Sequence, residues 1–254
     1  MKKNLTTALL IAALSAFGAS LPATAAESRS VDILGMTLGM SPAEIKTALQ
    51  DSGLQFKTRE IPLTLKDLPG VTFVGSLHAI RHGEDVRSDE IRVDFPPPPH
   101  APRAVLITRL VQYPNDSGPL TREVAAALVG KYGKDRWIDD RYNTAASLRL
   151  AWIDTPAGVR ILDPKTRCSK AHWSPRANEG HAFFNSIQFV DGCGLTIVAN
   201  FRGGDPGTPG APMVSGMWTT LVDYHSLRQQ ISQTQVYVEQ QVRDAAKARG
   251  TPKL

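Results

Sequence analysis

The feature that most constrains this chain is a strongly marked helix start in the stretch "LGMSPAEIKTAL". Ser41 is a typical N-cap, Pro42 follows at the first helical position, and Glu44 completes a Ser-x-x-Glu capping box. Gly53 is a natural stop for the same helix. Its apolar stripe consists of Ile45, Ala48 and Leu49. We therefore predict a short amphipathic helix that packs one side on another element.

A weaker copy of this pattern follows 79 residues later. Four positions of the first helix match: Gly39, Glu44, Ile45 and Leu49 correspond to Gly118, Glu123, Val124 and Leu128. The second helix lacks the capping box, and Gly130 or Gly133 can end it. The echo predicts two related units, although so few matched positions also arise by chance.

Strand patterns follow each helix. Apolar and polar residues alternate over 71–78 and 91–95, and 104–111 is a third, more apolar strand. In the second unit we predict strands over 148–153, 183–190, 195–201 and 217–223. A last helix is predicted over about 224–247. The fold class that follows is α+β, with two helix-then-antiparallel-sheet units in tandem plus a C-terminal helix.

Alternation also predicts which side chains face the helices. The predicted core residues are Val71, Phe73, Leu77, Ile91, Val93 and Phe95. The predicted exposed residues are Thr72, Ser76, His78, Arg92 and Asp94. Two sheets side by side would add Arg149 to that exposed surface. We expect this face to bind protein if a partner exists, with Trp173 as an anchor at its edge. An ordinary solvated sheet surface explains the same pattern.

The first 26 residues have the pattern of a secretory signal peptide. Lys2 and Lys3 precede a short apolar run, and small residues follow it up to Ala26. The run is too short to span a bilayer comfortably, and no later segment is apolar enough to do so. We expect a soluble periplasmic or secreted protein with a first unit over 27–114, a second over 115–224, and a helix and tail over 225–254.

Charge argues against nucleic acid as a partner. Loss of Lys2 and Lys3 with the leader lowers the formal net charge from +5 to +3. Proteins that bind nucleic acid concentrate Lys and Arg on one face or one helix, and this sequence has no such cluster.

The two cysteines, Cys168 and Cys193, predict one disulfide, because exported proteins with an even cysteine count commonly pair them. His172 and His181 lie between them, so the four side chains are also conceivable zinc ligands. Their spacing matches no common structural zinc module, and the disulfide is the favoured interpretation.

Motifs of catalysis are missing from the sequence. It has no Gly-x-Ser-x-Gly, Ser-x-x-Lys, His-Glu-x-x-His, P-loop or Cys-x-x-Cys. His78 and His82 are four residues apart, but a strand and turn would not align them, so a solvated turn is predicted there. We expect no enzyme, no metal and no cofactor. The alternative is an enzyme or metal-binding protein with a site around His172 and His181.

The segment "LGMSPAEIKTAL" resembles the helix start of the β-lactamase-inhibitory-protein-like fold, which small outer-membrane assembly lipoproteins of the small-protein-A type share. The resemblance covers mainly residues 31–53 and less clearly 118–133. It implies a sheet with one face on helices and the other open for protein binding. The expected function is a non-enzymatic protein-binding or envelope-assembly module, with an envelope protein as partner. This chain has no cysteine for lipidation near the predicted cleavage site.

Overall fold

The structure is a computed structural model that describes residues 31–65, 67–114, 118–133, 137–140, 147–153, 193–202 and 213–248. For 137–140 and 147–153 it describes the backbone. Several predictions lie outside these residues: the signal peptide, the strand over 183–190, and the side chains of Cys168, His172, Trp173 and His181.

The described residues form three helices and eight strands. The first half comprises α1 (Pro42–Asp51), β1 (Lys57–Leu65), β2 (Leu68–Arg81), β3 (Ser88–Asp94) and β4 (Leu106–Gln112). The second half comprises α2 (Thr121–Tyr132), β5 (Trp137–Asp140), β6 (Ser147–Ile153), β7 (Leu195–Arg202) and β8 (Gly216–Asp223). Helix α3 (Tyr224–Ala248) follows at once. The α+β class is confirmed. The sequence prediction did not include β1 and β5.

All eight strands belong to one antiparallel sheet with the order β1-β2-β3-β4-β8-β7-β6-β5. The last strand of each half forms the central pair, in which Thr108 lies opposite Thr220. The prediction of two separate sheets side by side is therefore wrong. Backbone hydrogen bonds between β4 and β8 make the surface continuous across both halves.

Helix α1 begins as its sequence predicts. The Glu44 backbone N–H donates to Ser41 Oγ at 3.3 Å, and the Ser41 N–H donates to Glu44 Oε2 at 2.7 Å. Gly53 follows the helix with φ +71°, a conformation that glycine adopts without a steric penalty. Helix α2 has no side-chain cap at its start and ends at Gly133, which has φ +86°. The capping box of α1 is confirmed.

Both of these helices pack on the same side of the sheet, which we call the core face. Ile45 and Leu49 of α1 join sheet residues in one buried cluster. Val124 and Leu128 of α2 pack against that cluster while remaining partly exposed. The sheet contributes Leu77, Ile91, Val93, Phe95, Ile107, Ala199 and Leu221 to it. Register places His78, Arg92, Thr108 and Thr220 on the opposite side, which we call the outer face.

A bulge in β2 changes which side chains of this strand face the core. Pairing shifts between Ile61–Ser76 and Pro62–Val74, so Gly75 is an extra residue on β2. A Cβ at Gly75 would meet the Leu63 side chain, which occupies that space. Because one extra residue reverses the alternation, Val74 packs on the core cluster. The predictions that Val71 and Phe73 face the core and that Thr72 shares a face with His78 are wrong, since Thr72 pairs with Thr64 beyond the bulge.

Helix α3 returns across one end of the outer face. Asp223 caps its start by accepting hydrogen bonds from the backbone N–H groups of His225 and Ser226. The helix contacts β2, β7 and β8, and its Leu227 is completely buried. Three outer-face residues at this end of the sheet, Leu106, Thr196 and Val222, are also buried. Helix α3 therefore covers one end of the outer face, whereas the sequence predicted that this face is open.

Two contacts fix α3 to the loop between β3 and β4. His100 Nε2 donates to the Gln230 carbonyl at 3.0 Å, and Thr234 Oγ1 donates to the Pro97 carbonyl at 3.5 Å. Residues 239–248, the last ten of the helix, are exposed. Among the described residues, no helix is both long and apolar enough to cross a membrane.

Candidate functional site

A groove of about 470 Å³ lies on the part of the outer face that α3 leaves uncovered. It runs from the edge strand β1 to the central strand β8. Its polar lining includes Lys57, Arg59, His78, Glu90, Arg92 and Thr108. Its apolar lining includes Ile80, Leu110 and Trp218. Cationic and apolar groups thus share one concave surface.

Strand register aligns four of these polar residues. Arg59 lies opposite His78, His78 opposite Arg92, and Arg92 opposite Thr108. Neighbouring strands are about 4.8 Å apart, so the row extends about 14 Å across four strands. A ligand that lies across the strands can therefore meet all four side chains.

Two atoms in this row have no hydrogen-bond partner among the residues that the structure describes. His78 Nε2 and Thr108 Oγ1 are buried and make no hydrogen bond. The Thr108 residue is 3% exposed and lines the groove. A buried polar atom without a partner costs free energy, so native proteins rarely keep one without a reason. A ligand that offers hydrogen-bonding groups can satisfy both atoms.

The His78 ring is neutral at neutral pH. Its pKa is lowered to about 4, mainly by burial and also by the positive charges of Arg92 and Arg59. A neutral imidazole carries one N–H and one bare nitrogen. In the tautomer with hydrogen on Nε2, the ring can donate to an oxygen in the groove.

Arg92 is held by a buried ion pair. Its Nε donates to Asp94 Oδ1 at 2.6 Å, and the two residues are 9% and 1% exposed. Burial raises the pKa of Asp94 to about 7, although the charge of Arg92 acts to lower it. The carboxyl is therefore partly protonated near neutral pH, which leaves positive charge on the Arg92 side of the groove.

Apolar and cationic groups alternate along the other side of the groove. Ile80 is 36% exposed, and Leu110 and Trp218 are half-buried. The Arg202 guanidinium lies over the Trp218 ring at 5.7 Å, a cation–π contact. Lys57 and Arg59 are exposed at the edge strand. Three basic side chains thus line the groove and Arg202 lies beside it over Trp218, against one lining carboxylate, that of Glu90, and the buried Asp94.

The predicted binding residues that the structure describes divide into four groups. His78 and Arg92 line the groove, whereas Ser76 and Asp94 lie on the same face but are 1% exposed each. Thr72 is exposed and lies beyond the bulge, outside the groove. Arg149 lies opposite Asn200, which lies opposite Trp218, so its register position is on the outer face.

Most residues that line the groove were not predicted, and Arg59, Thr108 and Trp218 show why. Arg59 lies in β1, where a proline and five charged or threonine residues hide the strand pattern. Thr108 lies in the apolar strand β4, whose pattern is typical of the core. Trp218 has no distinguishing pattern in the sequence, because large aromatic residues are usually core residues. Only strand pairing brings the three together.

The turn after β2 holds ion pairs and not a cation site. His82 Nδ1 donates to the Arg87 carbonyl at 2.7 Å, and Asp85 pairs with Arg81 at 3.0 Å. Within the described part of the chain, no group of His, Cys, Asp and Glu is arranged to hold a metal ion. Cys193 is 3% exposed next to β7, and its predicted pairing with Cys168 stays a prediction.

Comparison with known proteins gives no relative: no family, no curated protein and no solved structure matches this chain.

Proposed function

We propose that this chain is an exported, non-enzymatic protein that binds an envelope protein through the groove on its outer face. The observation that carries the proposal is the groove itself, which combines basic rim residues, exposed apolar surface and unpartnered polar atoms. Protein-binding sites typically combine an apolar centre, enriched in aromatic residues, with a polar rim. Trp218 and Ile80 supply such a centre, and Lys57 and Arg59 supply a rim.

Export is part of the same proposal. The pattern of residues 1–26 supports a cleaved leader, with a mature chain that begins at Ala26 or Glu27. Cell fractionation by osmotic shock should release the protein, and N-terminal sequencing should find one of these two residues first. A mature protein that still begins with Met1 would contradict export by this route.

We also propose that the two halves are copies of one unit. Each half has a helix followed by four strands, and α1 and α2 begin 79 residues apart. One backbone hydrogen bond recurs at equivalent positions. The Ala104 N–H donates to the Met40 carbonyl at 2.7 Å, and the Val214 N–H donates to the Pro119 carbonyl at 2.9 Å. Both acceptors precede their helix by two residues, and both donors precede the last strand of their half by two residues.

This symmetry relates the groove to the second half. If β4 and β8 are equivalent, Thr108 corresponds to Trp218, Arg92 to Asn200, and His78 to Arg149. The second half therefore carries an equivalent row with other side chains, displaced by two residues along the strands, since Trp218 lies opposite Leu110 and not opposite Thr108. A partner that extends along the outer face would contact both halves.

Affinity capture from an envelope extract tests the proposal when wild type is compared with two matched variants. Ile80→Asp places a charge on exposed apolar surface in the groove. Val236→Asp makes the same change at a 62% exposed position on α3, away from the groove. A specific partner should be lost with Ile80→Asp and kept with Val236→Asp. Equal recovery with all three proteins would show that the groove is not the binding site.

A further inference from the structure

We propose that the groove recognises an acidic segment of the partner protein, whose carboxylates accept hydrogen bonds from the Thr108 hydroxyl and the His78 ring. This inference rests on the proposed function, because it specifies the chemistry of what the groove binds. The charge of the groove favours an acidic ligand, since Lys57, Arg59 and Arg92 line it and Arg202 lies over Trp218 at its side.

The two atoms without a partner favour a ligand that accepts hydrogen bonds, because both can act as donors. The Thr108 hydroxyl is a donor in a 3% exposed position, and His78 Nε2 can carry a hydrogen two strands away in the same row. Hydrogen bonds to ionised acceptors are stronger than hydrogen bonds to neutral ones. A carboxylate therefore gains more from these two donors than an amide of the same shape.

The rest of the lining favours a polypeptide over a nucleic acid. The carboxylate of Glu90 also lines the groove, where it would repel a continuous phosphate backbone. Ile80, Leu110 and Trp218 offer apolar surface between the basic groups. A segment in which pairs of acidic residues alternate with pairs of apolar residues matches this mixture. Successive side chains of an extended chain lie on opposite sides, so each side of such a segment carries both kinds.

Substitution at Thr108 separates a binding role from a structural one. Thr108→Val keeps the shape and removes a hydroxyl that has no partner in the described part of the chain. Its melting temperature should therefore be equal to or above that of wild type. Thr219→Val is the matched control, because Thr219 is 4% exposed in β8 and lies on the core face.

The test uses the mature full chain and calorimetric titration at low salt. The probe is a capped six-residue peptide with two glutamates, two leucines and two glutamates in that order, and the reference peptide has glutamine in place of glutamate. We expect the glutamate peptide to bind about tenfold tighter or more. Thr108→Val should lose most of that difference, Thr219→Val should keep it, and added salt should weaken it.

Equal binding of the two peptides would overturn the inference, as would equal effects of Thr108→Val and Thr219→Val. Tighter binding of a single-stranded oligonucleotide of the same charge would overturn it in favour of nucleic acid. These failures differ from a failure of the proposed function. If Ile80→Asp still abolishes capture while the peptides bind equally, the groove binds protein without selecting carboxylates.

Discussion

Asp89 holds three strands together from a completely buried position. It lies on β3 and is 0% exposed. Its Oδ2 accepts hydrogen bonds from Arg81 Nε on β2 at 3.1 Å and from Arg109 Nη2 on β4 at 2.7 Å. Its Oδ1 accepts a third, from Arg109 Nε at 2.9 Å. One carboxylate thus compensates two guanidinium groups whose side chains are 12% and 19% exposed.

Asp89→Asn should therefore destabilise the fold strongly. The substitution removes the negative charge, and the amide nitrogen cannot accept a hydrogen bond. Arg109 therefore loses the carboxylate that compensates its charge, and Arg81 keeps only the exposed Asp85. Breaking a buried ion pair in this way typically costs about 3–5 kcal/mol of the free energy of unfolding. Urea denaturation of the mature protein, followed by far-ultraviolet circular dichroism, measures this loss.

Glu90→Gln is the matched control for Asp89→Asn. It removes the same charge from the next residue of the same strand, where the side chain is exposed, and should change stability by about 0.5 kcal/mol or less. Adding Arg109→Met to Asp89→Asn should recover part of the loss, because it removes one uncompensated charge. A loss below about 1 kcal/mol for Asp89→Asn, or equal losses for the two single variants, would refute this reasoning.

Three further outcomes are expected. Ser41→Ala should lower the free energy of unfolding by about 1 kcal/mol without weakening partner capture, and a binding defect at unchanged stability would contradict a purely structural cap. A thiol assay on denatured, unreduced protein should detect neither Cys168 nor Cys193, and two titrating thiols would exclude the disulfide. Nuclear magnetic resonance titration should give a pKa of about 4 for His78 and about 7 for Asp94. Between pH 6.5 and 4 the unfolded chain binds the histidine proton first, so acidification lowers stability through His78. Asp94 has the opposite effect. Its pKa is higher in the folded chain than in the unfolded chain, so acidification from about pH 7 to 4 raises stability through this residue. A His78→Gln variant should therefore lose less stability than wild type on acidification to pH 4.

The local features of the fold were readable from the sequence. Ser41, Pro42 and Glu44 specify the start of α1 through contacts within four residues, and Gly133 ends α2 for the same local reason. Alternation placed Leu77, Ile91 and Val93 in the core correctly. Such patterns suffice because a strand presents successive side chains to opposite faces wherever its pairing is regular.

The candidate site was only partly readable. His78 and Arg92 were predicted on one face, and register places them side by side. Thr108 and Trp218 were not recognised, because the sequence pattern of an apolar strand, or of a tryptophan, is also the pattern of core residues. Their place in the groove depends on which strands pair, and β4 pairs with β8 across more than 100 residues of sequence.

What the sequence alone determined is therefore the set of short-range elements: one capped helix, the strand faces with regular pairing, and the α+β class. Tertiary structure decided the rest. The bulge at Gly75 reverses the faces of β2 beyond it, and depends on the Leu63 side chain of a neighbouring strand. Pairing of β4 with β8 joins the two halves into one sheet. Helix α3 covers one end of the outer face. These features depend on contacts between residues far apart in the chain, and no local pattern of polar and apolar residues encodes them.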